Sequence, residues 1–386
     1  MKSGSWPSIA LIYFHGVLAS ASLSKIIPLL ADLSTHLGAT SLQFGLLISL
    51  MTVAPAALAM VAGSIIDRVG ARSALTAAAG IGVLVNLAYL QAASLHGFMM
   101  IRVLEGLVVT GIYSAAPALI MATASPARRG RAMAVWSTYT PVGMSLGLLL
   151  SAYFAGTAAW RSGYLVHLIL FAGLLIAGWW LPRSPTAQEG TARPGLLSGL
   201  ARGGPLRLSL AFSALVMMGF GMSTVFPDWF ALQHQTTIGA ASSILAMANL
   251  AMIPGGLLAG WLVVHGRRDF AVLAVLMLLA VAASLPLFMP GHNQPLRIGV
   301  MAMWLMTQGA AIAVVTSALP RVVLSPLQGA AAAGLLSQFA AITSFATPLV
   351  WRPILASGNW LLFPAIVAVS AVAALALFPR RSAGEY

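Results

Sequence analysis

Twelve apolar stretches of membrane-crossing length follow one another with short polar breaks, at about 8–31, 43–66, 73–93, 97–122, 132–156, 161–181, 207–230, 240–265, 270–289, 295–322, 329–351 and 358–379. A crossing helix needs about 20 such residues. In lipid each backbone N–H and C=O must find its partner inside the chain, as a helix provides. The pattern therefore predicts an all-α membrane protein with twelve transmembrane helices, its partner the lipid bilayer. With 60% hydrophobic residues, the chain is far more apolar than the roughly 45–50% of a soluble domain. Lys2, the run Ile9 to Leu18 and Ala19-Ser20-Ala21 imitate a secretory leader. The apolar run continues to Ala31, so an uncleaved first helix is expected.

Charge gives the orientation. The 20 Lys and Arg against 7 Asp and Glu are scattered in short loops, not gathered on one face, which argues against a nucleic-acid partner. If the N-terminus is cytoplasmic, that side collects fifteen basic residues, from Lys2, Arg68, Arg72, Arg128, Arg129 and Arg131 through to Arg380 and Arg381. The other side receives Arg161, Arg297 and Arg352. The positive-inside rule then places both termini in the cytoplasm. With no cysteine there is neither a disulfide nor a thiolate metal site, and neither a metal nor a cofactor is expected.

Between the sixth and seventh stretches lies Pro182 to Leu206, rich in Pro, Gly, Arg and Ser, which reads as a linker. The expected domains are an N-terminal six-helix bundle at 1–181, a cytoplasmic linker at 182–206 and a C-terminal six-helix bundle at 207–386. Internal similarity supports the division. Gly106 to Pro117 and Gly309 to Pro320 have equal spacing, each followed by a Ser-Pro pair, and Pro28 and Pro227 correspond. Pseudo-symmetric halves of this kind place a substrate site near the bilayer midplane.

Residues 63 to 72, Gly63-Ser-Ile-Ile-Asp67-Arg68-Val-Gly70-Ala-Arg72, put a compact charged turn between two apolar runs. The spacing resembles the G-x-x-x-D-R-x-G-R-R/K signature loop of the major facilitator superfamily, with Ala71 where the first terminal basic residue is usual. Arg102-Val-Leu-Glu105-Gly106, Ala127-Arg128-Arg129-Gly130-Arg131 and Trp160-Arg161 are similar to further elements of that family. The chain as a whole looks like the cyanate-permease-like group of bacterial carriers. The resemblance implies secondary transport across the bacterial inner membrane by a monomer, and a conformational-switch role for the loop Gly63, Asp67, Arg68, Gly70 and Arg72. In that loop Asp67 is expected to cap the third helix, with Arg68 and Arg72 reaching across to the other half. The fifth stretch has Thr140-Pro141-Val142-Gly143-Met144-Ser145 where the family's proton-driven drug exporters often carry Gly-Pro-x-x-Gly-Gly. That departure tilts the reading away from a drug exporter, which stays as the alternative.

Four ionisable residues other than histidine lie inside the stretches: Lys25, Arg102, Glu105 and Asp228. A charge at mid-span costs at least about 2.5–3.5 kcal/mol on insertion scales and persists only with a partner or a wet cavity. In the family fold, stretches one, four, seven and ten line the cavity, and these residues lie on three of them. Arg102 and Glu105, three apart, share a helix face and are expected to pair, leaving Lys25 the less compensated cation. Two cations facing few carboxylates favour an anionic small-molecule substrate. The structural alternatives are a pair that glues helices together and a Lys25 that snorkels to the outer interface. Tyr139, Trp304 and Gln308 add aromatic and polar tips for substrate, Trp304 and Gln308 facing the cavity together. Glu105, Asp228 and His15 are the candidates for proton coupling, with His167 a weaker one.

Other function classes leave signs that this chain lacks. It has neither a His, Asp and Glu cluster at ligand spacing for an enzyme nor a glycine-rich ATP loop, so energy is expected from an ion gradient or exchange. A non-transporting receptor or scaffold remains as the competing class. Substrate-dependent uptake separates it from a carrier.

Overall fold

The computed structural model describes residues 4–183, 203–264, 268–289, 291–322 and 326–379. Every regular element among them is helical. Ten helices are long and apolar enough to cross a membrane: α1 Trp6–Leu37, α3 Ala71–Gln91, α4 Leu95–Thr123, α5 Arg131–Ala152, α6 Ser162–Trp180, α7 Gly204–His234, α8 Ile238–Leu262, α9 Asp269–Phe288, α10 Gln294–Ser317 and α11 Ala332–Ser357. Two shorter apolar helices, α2 Gln43–Ala59 and α12 Leu362–Leu377, complete the predicted twelve.

Local sequence sets the ends of these helices. Thr40 and Gln43 form a reciprocal capping box at the start of α2, Ser94 accepts from the Gly97 amide ahead of α4, and Asn293 accepts from the Leu296 amide ahead of α10. Each satisfies an amide that lipid would leave unpaired. Helix continues beyond α2 to Val69 and stops at Gly70, whose φ of 85° lets the chain turn straight into α3.

Contacts divide the chain into two compact units, Met1–Thr191 with Phe226–Ala246 and Ala192–Val225 with Met247–Tyr386. Most of the expected linker, residues 184–202, lies outside the described residues. In the first unit α4 is central, packed on α1, α2 and α3, while α5 packs on α1 and α6 on α3. Gly143 and Gly147, four apart on α5, make the α1 contact close. A side chain at Gly143 would fall on the Val17 carbonyl and Ser20, and one at Gly147 on the Ala21 carbonyl and Ser24. This is the small-residue packing that lipid-embedded helices use in place of a hydrophobic driving force. In the second unit α10 packs on α8 and α9, and α9 on α12.

The helices turn apolar side chains outward, Leu278 at 70% and Val369 at 69% exposure among them, as a lipid solvent requires. Lys25, Arg102 and Glu105 are turned inward and buried.

Candidate functional site

The site is built where α1, α3, α4 and α6 meet. Glu105 on α4 is its hub. One carboxylate oxygen, Oε1, lies 2.5 Å from Lys25 Nζ of α1. The other, Oε2, accepts from Arg102 Nη1 at 2.8 Å and from the Tyr89 hydroxyl of α3 at 2.8 Å. Lys25 Nζ also donates to Asn86 Oδ1 at 2.7 Å, and the Asn86 amide is oriented by its own bond to the Gly82 carbonyl. The rings of Tyr89 and Tyr164 lie 4.9 and 5.2 Å from the ammonium, an aromatic cage for the cation. The expected pairing of Arg102 with Glu105 is present, but the expectation that it leaves Lys25 the less compensated cation is corrected. The carboxylate is shared by both cations, and Lys25, fully buried, does not snorkel.

Arg102 is held differently. Its Nε donates to the Leu47 carbonyl at 2.9 Å and its Nη1 to the Ser22 carbonyl at 3.1 Å. Both acceptors stand beside interruptions in their helices. Regular helix in α1 stops at Ser24 and resumes after a tight turn, Ile27–Leu29, that contains Pro28. In the second membrane segment a tight turn, Leu50–Thr52, separates Ser41–Ser49 from Val53–Val69. Interrupted helices loosen carbonyls from their usual amide partners, and a planar guanidinium can serve two of them at once. Arg102 thus ties α1, α2 and α4 together at two helix breaks.

Two cations against one carboxylate leave the cluster with one surplus positive charge. Each ion pays several kcal/mol in desolvation, while a pair at 4 Å regains about 4 kcal/mol at an effective dielectric constant of 20. Three polar atoms in and around the cluster have no partner among the described residues: Arg102 Nη2, the Tyr164 hydroxyl and His167 Nε2. His167, fixed through Nδ1 by the Gly163 carbonyl at 2.9 Å, is within electrostatic range of Lys25 and Glu105.

The other predicted residues make contacts of their own. Tyr139 stacks on Trp136 with ring centroids 4.2 Å apart and meets Tyr113 edge-on, and Tyr113 bonds Ser20 at 2.6 Å. Gly16 makes room for that aromatic group against α1. His15 is buried, its Nδ1 2.8 Å from the Leu11 carbonyl and its Nε2 unpartnered among the described residues. Asp228 is half-buried on α7. Trp304 and Gln308 meet different neighbours. The Trp304 indole donates to the Ala280 carbonyl of α9, whereas Gln308 faces Gly219 of α7 with both ends of its amide unpartnered among the described residues.

In the charged loop, Gly63, Asp67 and Arg68 belong to the last turns of helix Val53–Val69, and the side chain of Asp67 lies outside the described set. Gly70, not Asp67, holds the cap position of α3. Arg68 is exposed, and Arg72 donates to the Trp179 carbonyl of α6 at 2.9 Å, so its reach stays within the first unit.

Sequence reasoning singled out Lys25, Arg102 and Glu105 and underweighted what surrounds them. Asn86 and Tyr89, three apart on α3, share a helix face, and that spacing was the available signal. Tyr164 gave none, because an aromatic residue in an apolar stretch is unremarked.

Residues 12–348 match the profile of the Major Facilitator Superfamily. Fatty acid resistance protein FarB of Neisseria gonorrhoeae is 24% identical over 245 residues, covering 61% of this chain and 45% of FarB. A proposed niacin/nicotinamide transporter of Bacillus subtilis, NiaP, is 24% identical over 192 residues, 48% of either chain. The chain thus spans about half the length of the curated relatives it matches. Among solved structures, the nucleoside transporter NupG superposes with a TM-score of 0.74 at 14% identity, over 96% of this chain and 100% of that one, a likeness of fold alone. These comparisons carry the superfamily and no subgroup. The profile spans most of the chain, on an all-helical fold of the same kind, and on that ground the chain belongs to the major facilitator superfamily of multi-pass membrane transporters.

Proposed function

We propose that the protein is a secondary transporter that carries a small organic anion across the bacterial inner membrane by alternating access, with Glu105 linking the movement to a proton. The supporting observation is the buried surplus charge: Lys25 and Arg102 share the Glu105 carboxylate, and among the described residues no second acid is ion-paired with either. A monovalent anion there balances the charge and gives the unpartnered donors an acceptor. Lys25 is the exchangeable cation, since Arg102 is fixed by two backbone carbonyls while Lys25 is held by side chains. Protonation of Glu105 ends its attraction for Lys25, which then turns to the substrate. His15 and Asp228 serve as secondary proton groups. Fatty acids and niacin, in the names of the two curated relatives, are carboxylic acids, in keeping with this substrate class, while nicotinamide, also in the second name, is a neutral amide.

Uptake into proteoliposomes tests the proposal. Each charge-assisted contact is worth about 1.5–3 kcal/mol where water is excluded, so Lys25→Ala lowers anion affinity roughly ten- to a hundredfold and Lys25→Arg restores part of it. Glu105→Gln abolishes the response to a pH gradient while counterflow exchange persists. A cationic preferred substrate, or an unchanged Lys25→Ala, overturns the anion reading.

Export is the second reading, favoured by the resistance function in the name of FarB. The same cation would then receive a carboxylate from the cytoplasmic side. Efflux from preloaded vesicles, compared with uptake, decides the direction.

A further inference from the structure

We propose that a groove at the Arg72 end of α3 and α6 holds a phospholipid with an anionic headgroup, one acyl chain lying between the two helices. The groove has a volume of about 580 Å³ and is lined by Arg72, Thr76, Gly80, Leu175, Gly178 and Trp179 among others. That volume falls within the about 300–1,000 Å³ of ordinary ligand sites. At the mouth end the two helices pinch together, where a side chain at Gly178 would come within 2.9 Å of Thr76 Oγ1. Beside the pinch the small residues leave room, since a side chain at Gly80 would find its nearest neighbour, Leu175, at 3.8 Å.

Charge and aromatic placement specify the occupant. Arg72 uses Nη2 on the Trp179 carbonyl, and its Nε and Nη1 have no partner among the described residues. A guanidinium anchored on one side and open on the other suits a phosphate oxygen pair. Ser73 is exposed next to it, and Arg68 and Arg183 add exposed positive charge nearby in the chain, with Asp67 the acid of this turn. Trp179 and Trp180 are 79% and 55% exposed, the placement of indoles at a membrane-water interface. Further along α6, Ile169 and Ile176 point outward at 59% and 61% exposure, so the helix that carries the basic mouth continues into an exposed apolar face. A soluble anion satisfies the mouth alone. A second copy of the chain would bring its own basic mouth, so a phospholipid fits both ends of the groove best. The site stands on whichever side of the membrane Arg72 faces.

Native mass spectrometry of the full chain, titrated with phosphatidylglycerol, phosphatidylethanolamine and phosphatidylcholine of matched acyl chains, provides the test. One phosphatidylglycerol is expected to be retained more tightly than either zwitterionic lipid by about fivefold, the scale of one basic residue at a membrane surface. Arg72→Gln removes the preference, and Arg72→Lys keeps part of it. Gly80→Leu, which fills the groove, weakens all three lipids. Arg207→Gln serves as the control, because Arg207 is another exposed arginine that donates to a helix carbonyl, Ala376, at 3.2 Å. Equal retention by Arg72→Gln and the parent, an equal loss in Arg207→Gln, or dimers in place of lipid adducts overturns the proposal. Glycerol phosphate, a headgroup without chains, is expected not to bind, and its binding in place of lipid also counts against the groove.

Discussion

Glu105 carries the counter-charge for two cations, and its removal leaves both buried without one. Breaking a buried pair by deleting one partner costs about 3–5 kcal/mol, whereas replacing the whole pair by well-packed apolar groups is often neutral. Glu105→Gln is therefore expected to lower the thermal unfolding midpoint of the purified protein in detergent, and Lys25→Met added to it to recover much of the loss. Asp228→Asn added instead recovers nothing. Failure of the Lys25 change to rescue would detach that lysine from the cluster. The three charges were legible in the sequence because charge inside an apolar stretch is rare. Their arrangement was not, since helix spacing shows that Arg102 and Glu105 share a face but says nothing of Lys25, eighty residues earlier. Trp304 and Gln308 show the limit from the other side. Four apart on one helix, they turn to different neighbours, Ala280 and Gly219.

At the level of elements, the contact between α1 and α5 depends on the absence of side chains. Ser24 reaches across it to the Met144 carbonyl at 2.8 Å, a bond possible only because Gly143 and Gly147 let the backbones approach. Gly147→Leu must push the helices apart. Overpacking typically costs about 1–3 kcal/mol, and the variant is expected to unfold at a lower temperature than the parent. Gly173→Leu, at a position with nothing within 4 Å, is expected to match the parent and marks the effect as one of packing. Apolar length and capping residues made the helices readable in sequence. The interruption of α1 is signalled by Pro28, whereas the tight turn at Leu50–Thr52 has no proline inside it and becomes visible only where Arg102 takes the Leu47 carbonyl.

For the whole molecule, the distribution of arginine is the main guide to orientation, and the three exceptions are informative. Arg161 bonds the Leu90 and Ala92 carbonyls, Arg297 the Met289 carbonyl and Arg352 the Thr224 carbonyl. These arginines are each taken up by backbone carbonyls, so the expected orientation rests on the charge bias of the rest. In this chain without native cysteine, single cysteines at Ser198 and Thr236 are expected to be closed and open, respectively, to an impermeant thiol reagent added outside cells. The reverse labelling would invert the orientation. The salt link from α1 to α4 also has a consequence in time. Ribosomes add about 5–20 residues per second, so Lys25 is made roughly 4–16 seconds before Glu105. For that interval the first helix carries a charge with no mate, and its final depth in the membrane is decided by a residue not yet synthesised.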